Sequence, residues 1–272
     1  TNFFGNLPEY IYYLYGYIDF SRYNAGTTVA TLNRNDVHAI KLGIPPIKEQ
    51  KKIAEILSTW DHAIEKTEDL IKEKEKLKKG LMQKLLTGKV RFKEFIEKEG
   101  FKDTKIGMIP EDWTVLELGD MGTFLRGKGI SKKELKKTGK PCLTYGQIYT
   151  TSRFYTHKFK TFIDEKLALD SQKIQHGDIL FAGSGETLDE IGKSIAYLGD
   201  KPAYAGGDII ILRNRKYDTI LLSFIFNSEL FFKQSRKKGQ GHSVVHIYPS
   251  SLSEIIIPIP GNEEQIKISK TL

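Results

Sequence analysis

The sequence predicts an α+β protein in which a globular, mixed α/β domain is joined to one long helix suited to antiparallel coiled-coil pairing. Three observations lead there. From Ile47 to about Thr87 there is no proline and a single glycine, Gly80, and apolar residues recur at a 3-4 spacing. From Ile106 to Pro260 short apolar runs alternate with glycine-rich turns. Finally, residues 26–57 recur without a gap at 241–272.

The repeat sets the boundaries. At a constant offset of 215, ten of the 32 pairs are identical, among them Gly26/Gly241, Ile44/Ile259, Pro45/Pro260, Glu49/Glu264 and Gln50/Gln265. Ordinary composition would give about two. Residues 1–46 are therefore expected to be the C-terminal part of a preceding domain, or to complete one by equivalence. Residues 47–93 carry the long helix, 94–105 a polar linker, 106–260 a complete domain, and 261–272 the start of a second helix.

Taken in order, residues 7–23 carry aromatics at helical spacing and predict a short buried helix. Residues 27–32 and 39–44 read as strands that Pro45-Pro46 stops. The long helix follows, about 40 residues and about 60 Å at 1.5 Å per residue, with Gly88 as a C-cap. Its stripe of Ile53, Leu57, Trp60, Ile64, Leu70, Ile71, Leu77 and Leu81 cannot be buried within one straight helix. Residues 47–71 sum to −2 and residues 72–93 to +7, which suits the helix dipole and sets an acidic half against a basic half in an antiparallel pair. An amphipathic helix lying on its own domain is the plainer alternative; length and charge favour pairing. In the domain, TVLEL, CLTYGQIY, GDILFAG, SIAYLG and DIIIL read as strands of a curved or barrel-like sheet, and residues 218–235 as a helix.

Composition narrows the function. The 272 residues carry a net charge of +8 with a pI near 9.2, so an anionic partner is expected. Cys142 is the single cysteine, which excludes an intrachain disulfide or multi-cysteine metal site and fits a reducing cytoplasm. No apolar run is long enough to span a membrane, and Thr1-Asn2-Phe3-Phe4 does not resemble a signal peptide; without an initiator methionine the chain reads as a fragment or trimmed product.

Catalytic motifs mostly fail. Asp178–Thr187 (DILFAGSGET) resembles the loop with which amino-DNA methyltransferases hold S-adenosylmethionine, but the required Pro-Pro-aromatic tetrapeptide is missing: Pro45-Pro46 lies between isoleucines. A strand followed by a tight glycine turn is the simpler reading. The histidines (His38, His62, His157, His176, His242, His246) lack ligand spacing, and His242 and His246 would stand about 13 Å apart on a strand. Gly183-Ser184-Gly185 is not a nucleophile elbow, and no Walker lysine follows a glycine loop.

Binding is better supported. Arg126, Lys128, Lys132, Lys133, Lys136, Lys137 and Lys140 sum to +6 with Glu134; Lys233, Arg236, Lys237 and Lys238 add +4 just before Gly239-Gln240-Gly241-His242-Ser243. Lysines and arginines among glycines can approach phosphates closely, whereas amides, hydroxyls and arginine read base edges. Tyr145, Gln147, Tyr149, Arg153, Gln240 and His242 are the candidate readers.

Residues 44–95, from IPPIKEQKKIAEIL to LLTGKVRFKEF, followed by IGMIPEDWTVLELGD at 106–120, resemble the DNA specificity subunit of type I restriction–modification systems. The second helix entry at Ile259-Pro260 and Glu264-Gln265 completes that likeness, which runs end to end. It implies a target recognition domain that reads half of a split sequence in double-stranded DNA, a helix that sets the spacer, and no catalytic site or cofactor in this chain. S-adenosylmethionine is expected on partner methyltransferase subunits, and ATP and magnesium on restriction subunits. The chain departs from the tandem pattern in having one complete domain and one complete helix, so a homodimer through the helix stripe is expected. The alternatives are a stand-alone S-adenosylmethionine-dependent methyltransferase fragment and a helical scaffold without a DNA role.

Overall fold

The computed structural model describes residues 3–23, 30–150, 154–214, 216–241 and 244–272 and divides into two compact units, Thr1–Lys76 and Leu77–Leu272. The mixed architecture and the long helix agree with the sequence prediction.

In the first unit, helix α1 (Pro8–Tyr17) packs against the N-terminal part of α2 (Ile47–Leu85). The contact is polar and specific. Gln50, 1% exposed, accepts from Leu7 N at 2.9 Å and donates to Asn6 Oδ1 and Pro45 O, both at 2.8 Å. Tyr13 Oη donates to Asp61 Oδ2 at 2.7 Å. Two expectations need correction. The helix predicted at 7–23 ends at Tyr17 and buries only Tyr10, while Tyr12 and Tyr17 are 71% and 87% exposed. Residues 39–44 form no strand; in the second copy, the equivalent stretch is a strand because another strand pairs with it. Residues 24–29, which hold part of the first predicted strand, lie outside the described residues.

The second unit begins with the last turns of α2. Leu81, Met82, Leu85 and Leu86 enter its core beside Trp113, so Leu81 faces this domain rather than a partner helix. Gly88 ends the helix with φ +69, a left-handed conformation that glycine adopts without strain, and a Cβ there would meet Pro110 Cγ at 2.3 Å. The strands are β1 (Thr114–Glu117), β2 (Gly122–Arg126), β3 (Lys140–Leu143), β4 (Tyr155–Thr156), β5 (Thr161–Ile163), β6 (Gln172–Ile174), β7 (Asp178–Ala182), β8 (Ser184–Gly185), β9 (Ser194–Tyr197), β10 (Ala203–Ala205), β11 (Ile209–Asn214), β12 (Val245–His246) and β13 (Ile256–Ile259). They form a five-stranded sheet in the order β2-β11-β7-β9-β4, a four-stranded sheet β5-β3-β10-β6, and the pairs β13-β1 and β8-β12; a separate two-stranded pair, Phe101–Lys102 with Ile109–Pro110, precedes them in the chain.

The alternation along the central strands explains the stacking. Ile179 and Phe181 of β7, with Ile210 and Leu212 of β11, point into the helix-side core. Their neighbours Leu180, Ala182, Ile209 and Ile211 point into a second core with Ile174 and Ala203 of the other sheet. A strand buried on both faces reads as a continuous apolar run, which is what DILFA and IIIL are. The helix-side core is closed by α3 (Thr219–Ile225), α4 (Glu229–Lys238) and α5 (Asn262–Thr271). The single helix expected over 218–235 is broken because the Asn227 side chain bonds Ser194 N, Ser194 O and Ser223 O, fastening the corner to β9.

The repeat survives in three dimensions. Gln265 accepts from Asp218 N at 3.0 Å and donates to Pro260 O at 2.9 Å, as Gln50 does with Leu7 N and Pro45 O. In the second unit this junction is also locked by charge. Arg91 donates to Asp112 (2.8 and 3.1 Å), to Glu264 (3.0 and 2.8 Å) and to Phe95 O, and Trp113 Nε1 donates to Glu264 at 3.0 Å. One guanidinium thus ties the exit of the long helix to both the start and the end of the domain.

Candidate nucleic-acid interface

At one end of the five-stranded sheet, β2 and β11 open a cleft of about 90 Å³ lined by Arg126, Gly183, Ser184, Gly207, Asp208, Ile210, His246, Ile247 and Tyr248. Sheet register assembles it. Arg126, the last residue of β2, pairs with Ile210, and Ser184 pairs with His246. Backbone bonds from Gly183 N to Asp208 O (2.8 Å) and from Ile247 N to Gly183 O (2.9 Å) join the three strands at the floor. Glycines make this closeness possible: at Gly127, which donates to Ile209 O, a Cβ would fall 1.7 Å from Gly206 O.

The polar groups of the cleft are held in place. Ser184, 3% exposed, bonds His246 Nδ1 at 2.9 Å, which leaves Nε2 as the ring nitrogen not engaged by it. The Arg126 guanidinium sits over the Tyr248 ring, 5.7 Å from its centroid, within reach of a cation–π contact. Gln240 exchanges both backbone hydrogen bonds with His246, so the glycine loop after α4 is hinged on the same strand. Behind it, the Tyr149 hydroxyl is buried next to Gly185 without a partner among the described residues, and burial pushes its pKa up.

The structure therefore joins the start of one basic cluster to the loop that follows the other, and disperses much of what lies between. Lys136 pairs with Asp164 at 2.9 Å, where the Leu167 amide and then Lys136 draw the carboxyl below its usual range. Lys140 pairs with Glu165. Arg236 is bonded to Glu229 at 2.6 Å, which lowers the Glu229 pKa, and Lys238 is paired with Glu254. Among the described residues, Lys128, Lys132, Lys133, Lys137 and Lys237 have no such ion pair. Gln147 is spent internally: its carbonyl caps Thr144 N at 2.9 Å and its amide donates to Thr161 Oγ1. Tyr145 is exposed at the head of a short helix, Tyr145–Tyr149, so the strand expected over CLTYGQIY ends at Leu143 and the capped Thr144 turns the chain into a helix. Arg153 and His242 lie outside the described residues. The sequence alone does not single out Asp208 and Tyr248, and offers Ser184 only as a failed nucleophile elbow and His246 only as a failed metal ligand. Their one signal is glycine on either side of Ser184 and before Asp208, which marks backbone that can approach other backbone.

Two other chemistries fit less well. Both neighbours of β7 are antiparallel to it, so the following glycine loop is not at the switch point of a parallel nucleotide-binding sheet. Among the described residues no cluster of histidine, cysteine and carboxylates could hold a metal ion, and no helix is long and apolar enough to cross a membrane.

Comparison with known proteins gives a consistent result. The sequence profile of a family described as type I restriction modification DNA specificity domain matches residues 2–76 and 110–272. The specificity subunit of the type I restriction enzyme MjaVIII of Methanocaldococcus jannaschii is 31% identical over 260 residues, covering 91% of this chain and 58% of that protein. The EcoKI specificity subunit of Escherichia coli is 28% identical over 173 residues, covering 61% of this chain and 36% of that one. The crystal structure of the type I restriction–modification S subunit from M. genitalium has a similar fold, with a TM-score of 0.55 at 19% identity over 92% of this chain and 60% of that one. The chain thus spans less than two thirds of the length of these relatives.

Proposed function

Since this chain belongs to the type I restriction modification DNA specificity family, we propose that it is a non-catalytic recognition component that reads one half of a bipartite DNA target through residues 106–260. The observation that carries this reading is the cleft at the sheet end, where Arg126 of one basic cluster meets the loop that follows the other. Methyltransferase and restriction subunits would dock on the chain and bring S-adenosylmethionine, ATP and magnesium, and the assembly would act in the cytoplasm. The long helix would pair two copies. Ile56, Leu57, Trp60, Ile64, Leu70, Ile71 and Leu77 are exposed along it, a stripe that supports a partner helix.

The DNA reading is tested by charge reversal at Lys132 and Lys133, both exposed and outside the core. The double variant is expected to bind duplex DNA more weakly across all sequences, with a log-log salt slope shallower by about two, close to one for each phosphate no longer neutralised. Unchanged affinity and slope in a folded variant would move the DNA face elsewhere.

A further inference from the structure

The cleft contains one group that phosphate binding does not explain. Asp208 lines it together with Arg126, and lies two residues before Ile210, the register partner of Arg126. A carboxylate repels phosphate and can only accept hydrogen bonds when ionised. Beside an arginine fork, it calls for a ligand edge that presents paired acceptors next to a donor. In the major groove a G·C pair presents that edge: guanine offers O6 and N7 as acceptors, and the cytosine opposite offers its N4 amino group. Volume points the same way. A space of about 90 Å³ holds roughly three waters at about 30 Å³ each, too little to enclose an extruded base but enough to receive a base edge.

We propose that Arg126 and Asp208 together read one G·C base pair in the major groove, Arg126 donating to guanine O6 and N7 and Asp208 accepting from cytosine N4. Tyr248 under the guanidinium and the Ser184–His246 pair hold the walls. The assignment rests on the DNA-reading function proposed above and goes beyond it by naming the base pair and its two readers.

The experiment is selection of duplexes from a random library by the full chain, with circular dichroism as the control for folding. Wild type is expected to retain a motif with at least one column restricted to G·C. Asp208→Asn and Arg126→Gln are each expected to relax that same column, losing about ten- to hundred-fold of the preference there and leaving other columns intact. Arg126→Lys keeps the charge but not the fork, and is expected to relax the column while binding strength on unselected DNA stays near wild type. The proposal is overturned by variants that leave the motif unchanged, that relax different or A·T columns, or that change affinity uniformly, with Asp208→Asn then binding every sequence more tightly as a phosphate contact would require. A wild type that selects no motif overturns the DNA reading itself, and this assignment with it.

Discussion

Glu264 and Glu49 occupy the same place in the repeat, yet the structure gives them opposite environments, and that difference can be measured. Glu264 is 2% exposed and accepts three hydrogen bonds, two from Arg91 and one from the Trp113 indole. Glu49 is exposed in the first turn of α2 and has no ion pair among the described residues. Replacing Glu264 by alanine leaves the Arg91 side chain, 8% exposed, with Asp112 as its single carboxylate. It also strips the indole N–H of its acceptor. Removing one partner of a buried ion pair costs about 3–5 kcal/mol, and part of that figure is the stranded donor. Glu49→Ala removes a surface charge and a modest helix-dipole interaction, and is expected to cost less than about 1 kcal/mol. Urea unfolding followed by circular dichroism would show the contrast as a large drop in midpoint for Glu264→Ala, equivalent to roughly 10 °C in Tm, beside a small one for Glu49→Ala. Equal effects at the two sites, or a loss below about 1 kcal/mol at Glu264, would refute the claim that this junction is held by the buried guanidinium.

The same junction predicts acid sensitivity. Burial by itself would raise the Asp112 carboxyl, but hydrogen bonds from Arg91 and the Glu97 amide outweigh it and hold the pKa below its usual range. Because the folded value is depressed, this contribution is complete above the unfolded value of about 3.9 and is lost as pH falls through the lower folded one; Asp112→Asn should make the loss of Tm below about pH 4 shallower. Gly88→Ala would force a side chain onto a left-handed residue and into Pro110, and is expected to lower stability by about 2 kcal/mol or more, read in the same unfolding assay. In the helix stripe, Trp60→Glu combined with Ile64→Glu should raise the dimer dissociation constant by about 100-fold or more in analytical ultracentrifugation, since each large side chain buried on pairing contributes about 1.5–3 kcal/mol. A wild-type chain that is strictly monomeric at micromolar concentration would end the pairing hypothesis.

Elements with a local cause were legible. The 3-4 spacing and the absence of proline predict α2, and Gly88 marks its end because one residue in the left-handed region needs glycine. The runs DILFA and IIIL are strands whose alternate residues enter two cores. The Gln50 and Gln265 equivalence, read as identical letters, became identical hydrogen bonds. What failed depended on partners distant in sequence. Residues 39–44 have the apolar letters of a strand but, among the described residues, no strand beside them, whereas Ile256–Ile259 has Thr114–Glu117. Gln147 has the amide of a base reader, but folding turned it into a cap. Lys136 and Arg236 belong to basic runs, yet each has a carboxylate brought to it by the chain.

By itself, then, the sequence determined the long helix, the repeat, the core strands and the family likeness, because periodicity, glycine and charge act over a few residues at a time. Tertiary structure alone decided which cations keep a free charge, which glutamate of the repeat is locked, and that Arg126, Ser184, Asp208, His246 and Tyr248 share one cleft. That cleft is made by strand register between segments far apart in the chain, 62 residues in the case of Ser184 and His246, and no local pattern encodes register across such a separation.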